Sequence, residues 1–278
     1  MTIQPHLSVI IVNYNGRDDL RLCLDALRSC PLALEVIVVD NASTDGSAAL
    51  VRESFPEVRL LAQAANTWFC RGNNIGLEAA RAEYALLLNP DTIPAPDALP
   101  LLLDFLHAHP DYHGATAQLR YPDGAIQRTC SRRPTYGYLL ANHTPLGWLR
   151  PGWRARLNAA QWYADWSRES DRDVEVAPGS CIMMRRADLR LDEDLLLYFP
   201  EDTLAAPGHV FRFVAAARII HREKSVTRSW LATRIYFRDL LVYARKQHGI
   251  ARAALLWLLS RPLLWGMALK RALVKGST

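Results

Sequence analysis

Several short apolar runs in this chain are followed by acidic and amide residues. These polar side chains are the ones that could bind a ligand or a metal ion. Residues 86–88 form an apolar run that stops at Asn89-Pro90-Asp91-Thr92. A short run bounded by turn residues is typical of a buried strand in a parallel sheet. Because ligands bind beyond the carboxyl ends of such strands, Asp91 is a candidate for holding a metal ion against a diphosphate. The alternative is a simple turn and helix start, which these residue types also favour.

Two earlier apolar runs also end in polar turn residues. Residues 7–12 end at Asn13-Tyr14-Asn15-Gly16, and residues 36–39 end at Asp40, with a helical pattern between them. Strand, helix and strand in this order predict a right-handed βαβ unit. The polar side chains at the strand ends should then lie along one edge of the sheet.

Glycines and one arginine stand in front of a predicted helix. The stretch Arg71-Gly72-Asn73-Asn74-Ile75-Gly76 follows a predicted third strand at residues 58–61 and leads into a helical pattern over residues 77–82. Backbone N–H groups and a cation at a helix start could bind phosphate, although ordinary surface helices also begin in this way. No G-x-G-x-x-G motif follows the first strand, so a dinucleotide-binding protein is disfavoured.

The second half of the chain has a weaker pattern. Residues 94–110 predict a helix and residues 114–120 a strand, whereas residues 121–173 are irregular and rich in Trp, Arg, Pro and Tyr. Such residues line grooves that bind sugars or acceptors, and they serve equally in ordinary loop packing. An apolar strand is predicted over residues 174–184, around Pro178-Gly179-Ser180.

Composition indicates a globular protein of one large domain, or one domain with an appendage, since half of the 278 residues are apolar. The five cysteines form no C-x-x-C pair, so we expect buried thiols of a reducing compartment rather than a disulfide frame or a zinc site. No basic segment followed by a long apolar stretch stands at the N-terminus, and we therefore expect a cytoplasmic protein without a secretion signal.

The basic charge is concentrated in the tail. From Arg234 onward nine Lys and Arg residues stand against one acid, Asp239, so this segment carries +8 while the whole chain carries +5. Helices are predicted over residues 230–248 and 251–275, and neither holds the uninterrupted run of ~18 apolar residues that a membrane-spanning helix needs. The second helix is basic and contains Trp, which favours the headgroup region of an anionic membrane. Packing against the rest of the chain, or against a second subunit, is the alternative.

Four of these motifs, in this order and spacing, resemble those of the family 2 glycosyltransferases, which have the GT-A fold. They lie between residues 7 and 92, and their details are similar to those of bacterial rhamnosyltransferases. The resemblance implies an α/β, Rossmann-like fold with a mostly parallel central sheet, here with a C-terminal helical extension. The motifs are Val9-Ile10-Ile11-Val12-Asn13-Tyr14-Asn15-Gly16, Val36-Ile37-Val38-Val39-Asp40-Asn41-Ala42-Ser43-Thr44-Asp45-Gly46, Arg71-Gly72-Asn73-Asn74-Ile75-Gly76-Leu77 and Leu86-Leu87-Leu88-Asn89-Pro90-Asp91-Thr92.

The resemblance also implies which residues bind the nucleotide sugar. Asp40 should hydrogen-bond the pyrimidine base, and Arg71 should lie along the diphosphate. Asn89 and Asp91 correspond to the first and last positions of the D-x-D-like motif of the family. Mg²⁺ or Mn²⁺ is the implied cofactor, since these ions take one or two carboxylates together with substrate phosphates. The complete implied set is Asn13, Tyr14, Asn15, Asp40, Arg71, Asn73, Asn89 and Asp91.

The match is looser in the acceptor half. Tyr198-Phe199-Pro200-Glu201-Asp202 resembles the Glu-Asp motif of the family, which makes Asp202 the general base beside Glu201, although acids are favoured at any helix N-terminus. His221 resembles the histidine that completes the metal site. Residues 187–209 are shorter than the family pattern, and Pro207 should end the helix that carries the two acids.

The resemblance implies an inverting glycosyltransferase that moves a sugar from a UDP or dTDP donor to a hydroxyl acceptor. The acceptor would be a growing bacterial cell-surface polysaccharide or glycolipid, which we expect to be lipid-linked. A catalytic domain is predicted over residues 1–229, with the donor half to about residue 120 and the acceptor half over 121–229, followed by basic amphipathic helices over 230–278. A peripheral position on the inner face of the cell membrane and a homodimer are compatible with this tail, and no nucleic acid partner is expected.

Two other functions can be weighed against the same residues. The shortened acceptor half suggests a catalytically weakened homologue that binds a nucleotide sugar or a membrane-associated partner. A nucleotidyltransferase would need a glycine-rich, basic loop after the first strand, and residues 13–17 are too poor in glycine for that.

Overall fold

The structure is a computed structural model that describes residues 5–223 and 229–275. Within that part a mixed sheet of nine strands has a hydrophobic core on each face. The elements are, in chain order, β1 (Leu7–Asn13), α1 (Arg17–Arg28), β2 (Leu34–Asp40), α2 (Ser47–Ser54), β3 (Arg59–Ala62), α3 (Trp68–Ala79), β4 (Tyr84–Leu88), β5 (Thr92–Pro94), α4 (Ala98–Ala108), β6 (Gly114–Arg120), α5 (Tyr136–His143), α6 (Leu146–Leu149), α7 (Pro151–Gln161), β7 (Arg172–Val174), β8 (Cys181–Arg185), a 3₁₀ turn (Arg186–Asp188), α8 (Pro200–Leu204), β9 (Phe211–His221), α9 (Trp230–His248) and α10 (Ile250–Lys275).

The amino-terminal part of the sheet is parallel, in the order β3-β2-β1-β4. Val9 and Ile11 of β1 belong to the core on one face, and Ile10 belongs to the core on the other. Burial of both faces explains why these strands are continuous apolar runs. The register places Asn13 beside Asp40 at the carboxyl ends of β1 and β2. The predicted βαβ unit and its polar edge are therefore confirmed.

The sheet continues in the order β8-β6-β9-β5, with β7 also paired to β9. Strand β8 is antiparallel to both β4 and β6, and β5 is antiparallel to β9. In the last pairing Thr92 lies opposite His221, and the N–H of Arg222 donates to the carbonyl of Asp91 at 2.9 Å. This pairing brings the turn that carries Asp91 next to the end of β9.

The predicted start of the third helix is wrong. Helix α3 covers Trp68–Ala79, so residues 71–76 lie inside the helix rather than before it. A Cβ atom at Gly76 would lie 2.4 Å from Cγ2 of Ile10. Glycine is needed here because the helix lies so close to β1, and this tertiary contact overrides the low helix propensity of glycine.

Residues 121–173 contain more regular structure than predicted. Helices α5, α6 and α7 lie within this segment. The N–H of Tyr138 donates to the side chain of Thr135, the N-cap of α5, and Pro151 stands at the start of α7. Helices α5 and α6 are short, and α7 buries no apolar residue, so a helical period of apolar residues does not show in the sequence. The single strand predicted over residues 174–184 is also wrong, because Pro178 and the turn that follows it separate β7 from β8.

Helix α9 packs into the core, and α10 packs on α9. Leu240 and Tyr243 of α9 are fully buried, as is Leu256 of α10. No helix in the described part of the chain is long and apolar enough to cross a membrane. The side chains of Lys270 and Lys275, which contribute to the basic tail, lie outside the described residues.

All five cysteines are free thiols. Four of them are buried, and Cys30 is half-buried. Burial raises the pKa of the Cys181 thiol to about 11, so this group stays protonated at neutral pH. The prediction of buried thiols is confirmed for these four cysteines.

Candidate active site

His221 is held in one orientation by Gln127. Nδ1 of His221 donates to Oε1 of Gln127 at 2.9 Å, and Nε2 of Gln127 donates to the backbone carbonyl of His221 at 2.7 Å. Gln127 is buried, so both bonds are shielded from water. The other ring nitrogen, Nε2, lies 3.4 Å from Oδ1 of Asp91.

The pair of Asp91 and His221 suits a small divalent cation. A carboxylate oxygen and an imidazole nitrogen 3.4 Å apart favour a positive charge between them, either a proton or a metal ion. Mg²⁺ and Mn²⁺ take few protein ligands when substrate phosphates complete their coordination. Within the residues that the structure describes, no group of three or more His, Cys, Asp or Glu side chains could hold a metal ion alone. The two side chains therefore fit an ion that is shared with a diphosphate.

A cavity of about 430 Å³ opens beside His221. Its volume is in the range of small-molecule sites. Three other residues of the predicted site line it, namely Asn89, Glu201 and Asp202. Its remaining walls are built by Phe69, Gln127, Arg128, Thr129, Cys130, Ser131, Trp162, Val176, Ala177, Pro178, Gly179, Ser180, Leu197 and Glu223.

Glu201 and Asp202 reach this cavity from the short helix α8. Pro200 begins the helix, and Phe199 before it has a left-handed backbone with φ of 66°. Burial raises the pKa of Asp202 well above that of an ordinary aspartate, and the negative charge of Glu201 raises it further. Burial also raises the pKa of Glu201. A carboxylate with a raised pKa is suited to accept a proton near neutral pH.

Asn13 and Asp40 meet at the carboxyl ends of β1 and β2. Nδ2 of Asn13 donates to Oδ1 of Asp40 at 3.1 Å, and the N–H of Ser43 donates to Oδ2 at 3.0 Å. Oδ1 of Asn13 is buried and accepts no hydrogen bond from the described residues. Beside this pair the ring of Tyr14 is 45% exposed. Asn13 and Asp40 are themselves buried, and the exposed group beside them at the predicted nucleotide side is the aromatic ring of Tyr14.

A second cavity, of about 230 Å³, lies between these turns and α9. Tyr14, Trp68 and Ile235 are among its lining residues. Phe69 and Leu197 line both cavities, so the two are neighbours. Asn15 does not line either one. Its Oδ1 accepts from the N–H of Thr44 at 2.8 Å and holds the two turns together.

Six residues of the predicted set line neither cavity, namely Asn13, Asn15, Asp40, Arg71, Asn73 and Asp91. Arg71 lies exposed on the first turn of α3. Asn73 is buried, and its Nδ2 donates to the carbonyl of Phe69 at 2.9 Å within the helix. The adjacent Asn74 instead binds the acceptor half, since its Nδ2 donates to the carbonyl of Leu191 and its Oδ1 accepts from the N–H of Leu191.

Sequence reasoning missed two residues that line the first cavity, and it missed that one acid outside it, Asp239, is buried. Gln127 and Trp162 belong to the segment that was predicted to be irregular, and no periodic pattern singles them out. Asp239 was counted only as the one acid of the basic tail. The sequence did hold a signal for its burial, because Asp239 is the one acid among many cations and stands between apolar positions of a helix. A carboxylate buried in this way needs specific partners.

Comparison with known proteins identifies the family of this chain. Residues 8–191 match the family described as "Glycosyl transferase family 2". The N-acetylglucosaminyl-diphospho-decaprenol L-rhamnosyltransferase of Mycobacterium tuberculosis is 25% identical over 280 residues, which cover 91% of this chain and 89% of that protein. An uncharacterised glycosyltransferase of Escherichia coli, YibD, is 39% identical over 89 residues, 31% of this chain and 26% of that protein.

Solved structures show the same fold. A mannosyltransferase from Pyrobaculum calidifontis, solved with GDP-Man and Mn²⁺, aligns with a TM-score of 0.55 at 19% identity and covers all of this chain and 77% of that one. TarS of S. aureus aligns with a TM-score of 0.50 at 13% identity, over 86% of this chain and 39% of that one. The predicted α/β fold class and the family resemblance are therefore confirmed. The protein is a glycosyltransferase, and it belongs to glycosyl transferase family 2.

Proposed function

We propose that the protein is an inverting glycosyltransferase that moves a sugar from a UDP or dTDP donor to a hydroxyl of a lipid-linked glycan in bacterial cell-surface polysaccharide synthesis. One observation carries the proposal. Asp202 and His221 line the same cavity, and Oδ1 of Asp91 lies 3.4 Å from Nε2 of His221. A base and a pair of metal ligands beside one cavity are what a direct displacement on a sugar diphosphate requires.

In the proposed reaction Asp202 takes the proton of the acceptor hydroxyl. The hydroxyl oxygen forms a bond to the anomeric carbon, and the bond from that carbon to the diphosphate oxygen breaks. The electron pair of the broken bond leaves with the nucleoside diphosphate, while the proton stays on the carboxyl of Asp202. Attack from the side opposite the leaving group inverts the anomeric centre. The raised pKa of Asp202 supports this role, because it makes the carboxylate a stronger base.

Asp91 and His221 would hold a divalent cation against the diphosphate, with Asn89 beside them. The chemistry that such a cation supplies when bound is neutralisation of the charge on the departing diphosphate. Gln127 keeps Nε2 of His221 turned towards Asp91, as partners of histidine ligands do in metal sites. The Mn²⁺ and GDP-Man of the Pyrobaculum calidifontis neighbour agree with a divalent ion in this fold.

Asn13, Tyr14, Asn15 and Asp40 are proposed to hold the nucleotide. The acceptors at the ends of β1 and β2 suit the N–H of a pyrimidine base, and the exposed ring of Tyr14 suits stacking. Arg71 is proposed to lie along the diphosphate, with Asn73 near it, although neither lines a cavity. The name of the Mycobacterium tuberculosis relative contains L-rhamnose and a diphospho-decaprenol, which favours a rhamnose donor and a lipid diphosphate acceptor.

The tail is proposed to rest on an anionic membrane surface. On α10, Trp257 is 49% exposed and Trp265 is 68% exposed, and the guanidinium of Arg261 lies 5.0 Å from the ring centre of Trp257. Exposed tryptophan beside arginine suits the headgroup region, where an indole ring is partly apolar and partly wet. This position would bring the enzyme close to a lipid-linked acceptor.

The test is a donor screen followed by product analysis. UDP- and dTDP-sugars, including dTDP-L-rhamnose, are compared for thermal stabilisation of the protein with and without Mn²⁺. The stabilising donor is then incubated with a short-chain polyprenyl diphosphate that carries N-acetylglucosamine. We expect metal-dependent stabilisation and a product whose anomeric configuration is opposite to that of the donor. Retention of configuration would refute the displacement mechanism.

A further inference from the structure

The carboxylate of Asp239 on α9 is fully buried and accepts hydrogen bonds from three successive backbone amides. Its Oδ2 accepts from the N–H groups of Leu196 at 3.1 Å, Leu197 at 2.9 Å and Tyr198 at 3.0 Å. Its Oδ1 accepts from the guanidinium of Arg238 at 2.6 Å. A buried carboxylate is retained only where such partners offset its loss of hydration. Here most of those partners belong to one short segment of the acceptor half.

That segment leads directly to the two acids of the cavity. Residues 196–198 are followed by Phe199, whose φ of 66° is unusual for a residue with a side chain, and then by α8 with Glu201 and Asp202. Such a backbone conformation persists only where its surroundings fix it. Leu197 also lines both cavities. The position of this segment therefore sets where α8 begins and where its carboxylates lie.

The same segment is bound from the opposite side by α3. The N–H groups of Phe69 and Cys70 donate to the carbonyl of Leu196 at 2.9 and 3.4 Å. The Leu196 residue thus connects the donor half, through its carbonyl, with Asp239 of α9, through its N–H. Hydrogen bonds on both sides leave the segment little freedom to move.

We propose that Asp239 is a positioning residue of the transfer reaction. It binds residues 196–198 and through them fixes Asp202 at the cavity. Helix α9 is then part of the catalytic unit, although it lies beyond residue 229, where the sequence suggested an extension. The inference rests on the proposed role of Asp202 as the base.

The test compares Asp239→Asn and Asp239→Ala with a control on the same helix. Asparagine keeps an oxygen that can accept from the three amides but loses the charge, whereas alanine leaves the amides without an acceptor. The control is Lys246→Gln, which removes ion pairs from α9 to Asp192 and Asp194 at 2.5 and 2.7 Å without touching residues 196–198. Transfer is assayed with the full-length protein and the donor and acceptor identified above, and amide hydrogen exchange of residues 196–198 is followed by mass spectrometry.

We expect kcat to fall in the order of lost hydrogen bonding. Misplacement of a catalytic group by about 1 Å can cost on the order of 100-fold, so kcat should drop about 100-fold in Asp239→Ala and about 10-fold in Asp239→Asn. The KM for the donor should stay within about twofold in all variants, because the metal pair and the strand ends are untouched. Exchange at residues 196–198 should quicken in the same order, and Lys246→Gln should match the unmodified protein in kcat.

A purely structural role for Asp239 predicts a lower melting temperature with unchanged kcat well below that temperature. If kcat and the exchange of residues 196–198 are unchanged in Asp239→Asn, the inference is overturned, and this variant decides the matter even if Asp239→Ala does not fold. If Asp202→Asn is inactive and the Asp239 variants are fully active, only the positioning role of Asp239 is overturned. Full activity of Asp202→Asn overturns both, because the positioned group would then not be the base.

Discussion

Nε2 of His221 lies 3.4 Å from Oδ1 of Asp91, and the antiparallel pairing of β5 with β9 puts the two residues together. Oε1 of Gln127 accepts a hydrogen bond from Nδ1 of His221, so the other ring nitrogen, which faces Asp91, is the one that can bind a cation. The pair lies beside the cavity that contains Asp202. The proposed donor and acceptor chemistry therefore converge on one place in the fold.

Asp91→Ala should abolish metal-dependent donor binding. Loss of the only proposed carboxylate ligand should weaken the binding of the donor in the presence of Mn²⁺ by about 100-fold, or ~2.7 kcal/mol. Calorimetry of donor binding with and without Mn²⁺ measures this. Asp97→Ala, an exposed acid a few residues further on, serves as the control and should bind the donor normally. Undiminished binding by Asp91→Ala would remove the site.

Gln127→Leu should weaken metal binding without removing a metal ligand. The change deletes the acceptor of the Nδ1 proton, and substitution of such partners typically costs about 10- to 100-fold in metal affinity. Mn²⁺ titration in the presence of UDP gives the readout. Gln127→Glu keeps an acceptor for Nδ1 and should retain most of the affinity. Equal affinities of the leucine variant and the unmodified protein would contradict the role of Gln127.

Asp202→Asn should lose transfer but keep donor binding. Removal of a general base costs about 10²- to 10⁴-fold in rate, while the donor contacts are unchanged. Burial raises the pKa of Asp202 in the folded protein, so ionisation of this carboxyl destabilises the fold as the pH rises. The asparagine variant cannot ionise, and its melting temperature at neutral pH should therefore be higher. Single-turnover transfer, donor calorimetry and thermal melting test the three statements. Retained transfer would take the base role from Asp202.

The dependence of kcat on pH should reveal the influence of Glu201. The rate should fall as the pH is lowered through the pKa of Asp202, which burial and the charge of Glu201 raise above the ordinary aspartate range. Glu201→Gln removes that charge, so the pKa of Asp202 should fall and the acidic limb of the profile should move to lower pH. Glu169→Gln, at an exposed position, is the control and should leave the limb in place. A limb that stays unmoved in Glu201→Gln would show that Asp202 does not set it.

The double variant Trp257→Ser and Trp265→Ser should lose affinity for anionic vesicles. Burial of large apolar side chains contributes about 1.5–3 kcal/mol each, so the partition coefficient should fall at least about 10-fold. Co-sedimentation with phosphatidylglycerol and phosphatidylcholine vesicles at low and high salt measures it. Trp148→Ser on α6, where the ring is 66% exposed, controls for the loss of any surface tryptophan. Absence of vesicle binding by the unmodified protein would end the membrane proposal.

The donor half of the fold could be predicted because its signals are local. Strand β4 ends at Leu88, where the apolar run over residues 86–88 was predicted to stop, since a buried parallel strand is a continuous apolar run bounded by turn residues. The placement of Asn13 beside Asp40 followed from the same pattern in β1 and β2. The bounds of α9 were also predicted, because Gly249 with positive φ ends the helix after basic residues.

Other parts could not be predicted because they depend on contacts between distant segments. The glycines of α3 favoured a loop in the sequence, and only their close contact with β1 explains why they lie in a helix. The helices between β6 and β7 show no helical period of apolar residues in the sequence. Sequence by itself determined the family, the strand ends and the residue types that could bind a nucleotide sugar. Only the tertiary structure brought His221 to Asp91 through the β5–β9 register and residues 196–198 to Asp239 through burial of α9. Register and burial arise from the whole sheet and core, so no local pattern of residues encodes them.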